Sequence, residues 1–170
     1  ESGYLVDAVF AQSEADVTKF WALRDGVTTI LTDIEHRANF DVGVPIGRMS
    51  AFVNQVEKVL EQSVEGLELC TFGHMADGNV HLLAWLRDHS KLSKKVQSDT
   101  VELIYRLVYE IIDQFEGTVT AEHGIGAMKK KYLSFCRTEA EIQLMKTLKL
   151  AMDPNGVLNP NRVFDLHSGS

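Results

Sequence analysis

Apolar residues recur along this chain in two periods. From Arg48 to Ser63, Met49, Phe52, Val53, Val56, Val59 and Leu60 repeat at helical spacing. From Ser93 to Phe115, Val96, Val101, Ile104, Tyr105, Val108, Ile111 and Ile112 do the same. Phe20, Leu23, Val27, Ile30, Leu31 and Ile34 predict a helix from Ser13 to about Asp33, opened by a Ser13-x-x-Asp16 pattern that resembles a capping box. A last helix is expected from Glu139 to Ala151, stopped by Asp153-Pro154-Asn155-Gly156. Between these lie short runs that read as strands: Tyr4 to Ala11, Phe40 to Val44 (stopped by Pro45), Leu67 to Gly73, Asn79 to Leu86, and Gly117 to Ala121.

From Phe40 onward the order is strand, helix, strand, strand, helix, strand, the ferredoxin-like βαββαβ pattern. The expectation is one α+β domain with a largely antiparallel sheet covered by helices, plus an extra N-terminal strand-helix unit and a C-terminal helix.

The two middle strands should form a hairpin, because Asp77-Gly78 is a strong signal for a two-residue turn. With Asp77 and Gly78 at its centre, His74 faces His81. Opposed residues project to one face with Cβ atoms about 4.5–5.5 Å apart, a spacing that suits two imidazoles on one metal ion. Asn79 lies on the same face as His81. A catalytic ion commonly takes three protein ligands. Glu122, in Glu122-His123-Gly124-Ile125-Gly126, is the best third donor. Two imidazoles and a carboxylate suit Zn²⁺, Mn²⁺ or Fe²⁺ without selecting among them. His123 then reads as a general base beside the metal, in a loop that Gly124 and Gly126 allow to bend. Arg24 shares a helix face with Trp21 and Thr28, and its fork of donors matches a carboxylate. His36, His89 and His167 sit in polar context and read as surface residues.

Composition narrows the function classes. The 170 residues carry a formal net charge of −7, which argues against a nucleic-acid footprint. The only basic run, Met128-Lys129-Lys130-Lys131, reads as a solvated turn. Cys70 and Cys136 have neither metal nor redox spacing, which fits a reducing compartment, and a cytoplasmic location is expected. Cys70 reads as a buried strand residue. No apolar run approaches the ~20 residues needed to cross a bilayer. The chain opens on Glu1-Ser2-Gly3 and runs at once into Tyr4-Leu5-Val6, as a piece of a longer protein would.

Taken together, Gly73-His74-x-x-Asp77-Gly78-Asn79-x-His81, Glu122-His123-Gly124-x-Gly126 and Met152-Asp153-Pro154-x-Gly156-x-Leu158-Asn159-Pro160 resemble the carboxyl-terminal portion of the FAD-linked oxidases. That group includes D-lactate dehydrogenases, the glycolate oxidase flavin subunit and D-2-hydroxyglutarate dehydrogenase. Trp21-x-x-Arg24 and Asp41-x-x-x-Pro45 also resemble it. The resemblance implies that the chain is a substrate-side, or cap, domain of a larger flavoenzyme whose missing amino-terminal domain binds most of the FAD. It implies His74, His81 and Glu122 as ligands of a divalent metal, with zinc the ion expected. It implies His123 as catalytic base, Arg24 and Thr28 as the anchor for the substrate carboxylate, Asn79 as a substrate contact and Asn159 as a residue near the flavin. The implied reaction oxidises a D-2-hydroxy acid to a 2-oxo acid.

One position departs from the pattern. Members similar to the 2-hydroxyglutarate enzyme carry a lysine two residues before the aspartate that matches Asp41, and here that residue is Asn39. A monocarboxylate such as lactate is therefore expected, with Arg37 the nearest substitute charge. Expected partners are the 2-hydroxy acid, the FAD domain of the same protein and an unnamed electron acceptor, with a homodimer as the assembly. A metal-dependent hydrolase or isomerase on the same ligands, needing no flavin, and a non-catalytic binding domain are the competing readings.

Overall fold

The computed structural model describes residues 6–32 and 36–166, apart from the side chains of residues 27–32 and of His89. The chain divides into two compact units, residues 1–35 and 36–170, and each is taken in its own terms.

The first unit is a single described helix, α1 (Glu14–Thr32). Ser13 caps it: Asp16 N donates to Ser13 Oγ at 3.2 Å, and Ser13 Oγ donates to Asp16 Oδ2 at 2.8 Å. The strand expected over Tyr4–Ala11 does not form over its described part, residues 6–11. Val6, Val9 and Phe10 stay exposed, and no described strand pairs with them, so their backbone groups gain no ladder. Tyr4 and Leu5 lie outside the described residues. Phe20 and Leu23, expected on a buried stripe, are exposed. The rest of that stripe lies outside the described side chains.

The second unit is built on a three-stranded antiparallel sheet of β1 (Ala38–Gly43), β2 (Leu67–His74) and β3 (Asn79–Leu86), in the order β1-β3-β2. Helices α2 (Met49–Ser63) and α3 (Lys94–Gln114) cover one face. Side chains alternate across a sheet, so Ala38, Phe40 and Val42 of β1 and Val80, Leu82 and Ala84 of β3 point into the core. There they meet Phe52, Val56 and Leu60 of α2 and Ile104, Val108 and Ile112 of α3. Each such large side chain contributes about 1.5–3 kcal/mol when fully buried. A further helix, α4 (Glu139–Met152), begins at a capping box between Thr138 and Glu141. The result is the expected α+β architecture.

Two expectations fail in instructive ways. The turn between β2 and β3 takes four residues, not two: a 3-10 turn over Met75–Asp77, then Gly78 at φ +70°. His74 therefore pairs with Asn79, and His81 pairs with Phe72. The fourth strand is reduced to one antiparallel bridge, Gly43 to Thr118, beside β1. Ala121 N is shared between the Asp41 main-chain oxygen and its carboxylate, and Glu122 and His123 then direct their N–H groups onto that carboxylate rather than continuing a ladder. The bridge still lies beside β1, where the fourth strand of a ferredoxin-like sheet belongs.

Candidate functional site

The sheet face opposite α2 and α3 carries the polar residues of the alternation. Register places Gly43, Asn79 and His74 in one row and Asp41, His81 and Phe72 in the next. His74 and His81 are thus diagonal neighbours on one face, with ring centroids 5.7 Å apart. The loop after Thr118 brings Glu122 over them. His74 Nε2 lies 3.4 Å from Glu122 Oε1, and His81 Nε2 lies 3.8 Å from Glu122 Oε2. One donor atom from each of the three falls within 4.8 Å of the other two.

A tetrahedral ion with bonds of about 2.0–2.1 Å sets its ligand atoms about 3.4 Å apart, so this donor set fits such an ion with little movement. Asn79 adds a second sign of a ligand. It is 2% exposed, yet neither its amide nitrogen nor its carbonyl oxygen has a hydrogen-bond partner. Buried polar groups are almost always satisfied, so an orphaned carboxamide on this face wants a bound group.

His123 stacks on His81 with ring centroids 5.9 Å apart and planes at 24°. Its side chain is 57% exposed, and its Nδ1 lies 3.7 Å from Asp41 Oδ2, which leaves Nε2 turned away from that carboxylate. Gly124 and Gly126 follow at φ +74° and +56°, the backbone bend the sequence suggests.

Two residues of this region are given no role by the sequence reading. Asp41 is 1% exposed. Burial pushes its carboxyl up, but hydrogen bonds from His123 N, Glu122 N and the Thr120 hydroxyl, together with the nearby His123 ring, outweigh this and hold it below the usual range. Lys129, expected in a solvated turn, has a side chain only 16% exposed, with Nζ 3.9 Å from Asp41 Oδ2. Burial pulls its pKa down, against the pull of Asp41. Its neighbours are not a basic patch either, since Lys130 pairs with Asp165 and Lys131 with Glu102. The available signals for Asp41 were one charge inside an apolar strand, Phe40-Asp41-Val42, and its place in the Asp41-x-x-x-Pro45 resemblance. Nothing local marks Lys129.

The other expected residues lie elsewhere. Arg24 stands on α1, where its Nη1 donates to Asp25 Oδ1 at 3.0 Å and its guanidinium sits 5.9 Å from the Trp21 ring. The Thr28 side chain is outside the described residues. Asn159 (φ +46°) helps line a cavity of about 250 Å³ with Lys149, Gly156, Arg162 and Phe164. Asp153, next to α4, accepts from Val157 N and Leu158 N at 2.9 Å each and so folds the segment that carries Asn159. Cys70 and Cys136 are free thiols, both half-buried. Of the remaining histidines, His36 is exposed, the His89 side chain is outside the described set, and so is His167.

Comparison with known proteins decides the family. The model of the FAD linked oxidases, C-terminal domain, matches residues 1–163. The chain belongs to that family. Its relatives include a D-2-hydroxyglutarate dehydrogenase of Stutzerimonas stutzeri, 32% identical over 164 residues that cover 96% of this chain and 35% of the relative. A D-2-hydroxyglutarate dehydrogenase of Xanthomonas citri is 34% identical over 167 residues, 98% of this chain and 35% of the relative. A putative mitochondrial D-lactate dehydrogenase of Schizosaccharomyces pombe is 32% identical over 169 residues, 94% of this chain and 31% of the relative. The chain spans about a third of the length of these relatives. Membership of a flavin-linked family argues against the flavin-free hydrolase or isomerase. No helix among the described residues is long and apolar enough to cross a membrane.

Proposed function

We propose that this FAD-linked oxidase domain supplies the substrate side of the active site of a D-2-hydroxy-acid dehydrogenase, with most of the FAD held by the remaining two-thirds of the parent protein. The observation that carries this reading is the convergence of His74, His81 and Glu122 donors within 4.8 Å, with His123 stacked on His81 and the orphaned Asn79 carboxamide on the same sheet face.

His74, His81 and Glu122 would hold a divalent ion, zinc by preference, whose chemistry is to polarise a substrate hydroxyl and lower its pKa. His123 has its Nδ1 on the Asp41 side, so its Nε2 is the atom that takes the hydroxyl proton. Asn79 offers an amide donor and a carbonyl acceptor to the bound acid. The family resemblance assigns the substrate carboxylate to Arg24 and Thr28. Asn159 is the residue that would meet the flavin. When bound, FAD would supply the acceptor for the hydride that leaves the substrate carbon as the hydroxyl proton goes to His123, giving a 2-oxo acid. Asn39, neutral where a second substrate carboxylate would want a cation, favours a monocarboxylate such as D-lactate. Free Cys70 and Cys136 suit a reducing compartment such as the cytoplasm.

The test uses the full-length flavoprotein. His123→Ala should lower kcat by about 10²–10⁴-fold with the flavin spectrum and metal content unchanged. Wild-type turnover in that variant sinks the assignment of the base. His74→Ala and His81→Ala should each release the metal, and unchanged metal content removes the ligand set. A kcat/KM for D-2-hydroxyglutarate above that for D-lactate overturns the monocarboxylate preference.

A further inference from the structure

Asp41 stands behind the site, on β1. Its carboxylate accepts from four successive residues: the Thr120 hydroxyl at 3.0 Å, Ala121 N at 3.2 Å, Glu122 N at 3.0 Å and His123 N at 2.8 Å. Ala121 N also donates to the Asp41 main-chain oxygen at 3.1 Å. Glu122 and His123 are themselves exposed, so burial does not hold them in place. Gly124 follows at once and Gly126 two residues later, both with positive φ, and they supply no stiffness. The shape of this loop is therefore set by one buried anion.

That anion also borders both imidazoles. Its oxygens lie 4.0 Å from His81 Nδ1, the ring nitrogen not facing Glu122, and 3.7 Å from His123 Nδ1. An anion at this depth needs a counter-charge. Lys129 provides it, since its Nζ lies 3.9 Å away and makes no hydrogen bond of its own. Asp41, Glu122 and His123 also fall within ligand distance of one another. A second ion there is disfavoured, because the Asp41 oxygens are already engaged by those four donors.

We propose that Asp41, with Lys129 as its buried counter-charge, is a positioning residue: it holds the Thr120–His123 loop so that Glu122 closes the His74–His81 pair and His123 lies flat against His81. This inference rests on the site assignment made above, and its test has a part that does not depend on the reaction.

The experiment compares the full-length holoenzyme with Asp41→Asn, which turns one acceptor oxygen into a donor aimed at donors. Hydrogen exchange at the amides of Ala121, Glu122 and His123 should speed about tenfold or more, the loss of one charge-assisted bond. Zinc affinity, measured by competition with a chelator, should fall about 10–100-fold, as it does when the groups behind metal ligands are removed. With saturating zinc, kcat should fall about 100-fold from misplacement of the base, with KM for the hydroxy acid within about twofold of wild type. Lys129→Met leaves the carboxylate buried without its counter-charge, so the losses of exchange protection at residues 121–123 in Asp41→Asn and Lys129→Met should be less than additive in the double variant.

Unchanged exchange at residues 121–123 overturns the proposal. So does a variant that is less stable but keeps wild-type kcat and zinc affinity per folded molecule, since Asp41 is then merely structural. A wild-type protein that oxidises no 2-hydroxy acid, yet loses loop protection and zinc affinity on Asp41→Asn, refutes the reaction and supports the positioning role. If Asp41→Asn yields no folded protein, Thr120→Val removes one donor and leaves the charges alone. It should speed exchange at residues 121–123 and lower kcat at constant KM, and a wild-type profile there overturns the proposal.

Discussion

Replacing Gly78 by alanine should cost far more than replacing Gly66, although the two share a backbone conformation. Gly66 sits at φ +72° and Gly78 at φ +70°. An L side chain in that region costs about 1–2 kcal/mol at either site. The gain from a stiffer unfolded chain is also common to both. The surroundings differ. A Cβ on Gly66 meets nothing within 4 Å, whereas a Cβ on Gly78 would lie 2.3 Å from the Val44 carbonyl oxygen, a main-chain atom that cannot swing aside. Relieving that clash by shifting packed structure costs about 1–3 kcal/mol. It also endangers the hydrogen bond from Val44 N to Gly78 O, 2.8 Å long and worth about 0.5–1.5 kcal/mol. The totals are about 1–2 kcal/mol for Gly66→Ala and about 3–6 kcal/mol for Gly78→Ala. Urea unfolding followed by far-UV circular dichroism measures both, and the difference corresponds to roughly 5–15 °C in midpoint for a chain of this size. Equal losses would refute the argument, because they would show that the turn relaxes away from β1 at no cost. The consequence for the site is direct, since this turn spaces the row of His74 and Asn79 from the row of His81.

Asn79→Leu should leave the unfolding free energy unchanged or raise it by about 1–3 kcal/mol, because it removes two buried polar atoms that have no partner, while KM for the hydroxy acid rises in the full-length enzyme; clear destabilisation would mean that the carboxamide is already satisfied. Asp153 tests the pH dependence away from the metal site. The Lys149 ammonium, and after it the N–H groups of Leu158 and Val157, hold its carboxyl below the usual value against the opposing effect of burial. Its contribution is therefore complete above the ordinary carboxylate pKa, about 3.9, and is lost as pH falls through the lowered folded value. The stability gap between wild type and Asp153→Asn should be constant from neutral pH to about pH 5 and close below about pH 4, and a gap that persists in strong acid contradicts the assignment.

The hairpin shows why part of this site is legible in sequence and part is not. A two-residue turn at Asp77-Gly78 places His74 opposite His81, and the observed four-residue turn shifts that pairing by two positions. A shift of one would have sent His74 to the helix-covered face, but a shift of two preserves the face, so both imidazoles still reach one point, now along a diagonal. The alternation of residues was enough to put both histidines on one face, and the register was not needed. What the alternation could not supply was the register itself, because that depends on Gly78 fitting under Val44, more than thirty residues away. The fourth strand fails for a related reason. Thr118-Val119-Thr120 has the composition of a strand, yet the N–H groups that follow are drawn to a carboxylate about eighty positions earlier. Local propensity cannot anticipate that competition. Asp41 and Lys129 mark its limit. A lone aspartate in an apolar strand and the first of three lysines each have an ordinary local reading, and only their meeting in the fold gives them a shared role behind His123. Residues proposed to touch a ligand are those that chemistry and spacing single out, whereas the residues that hold them in place are defined by contacts distant in sequence.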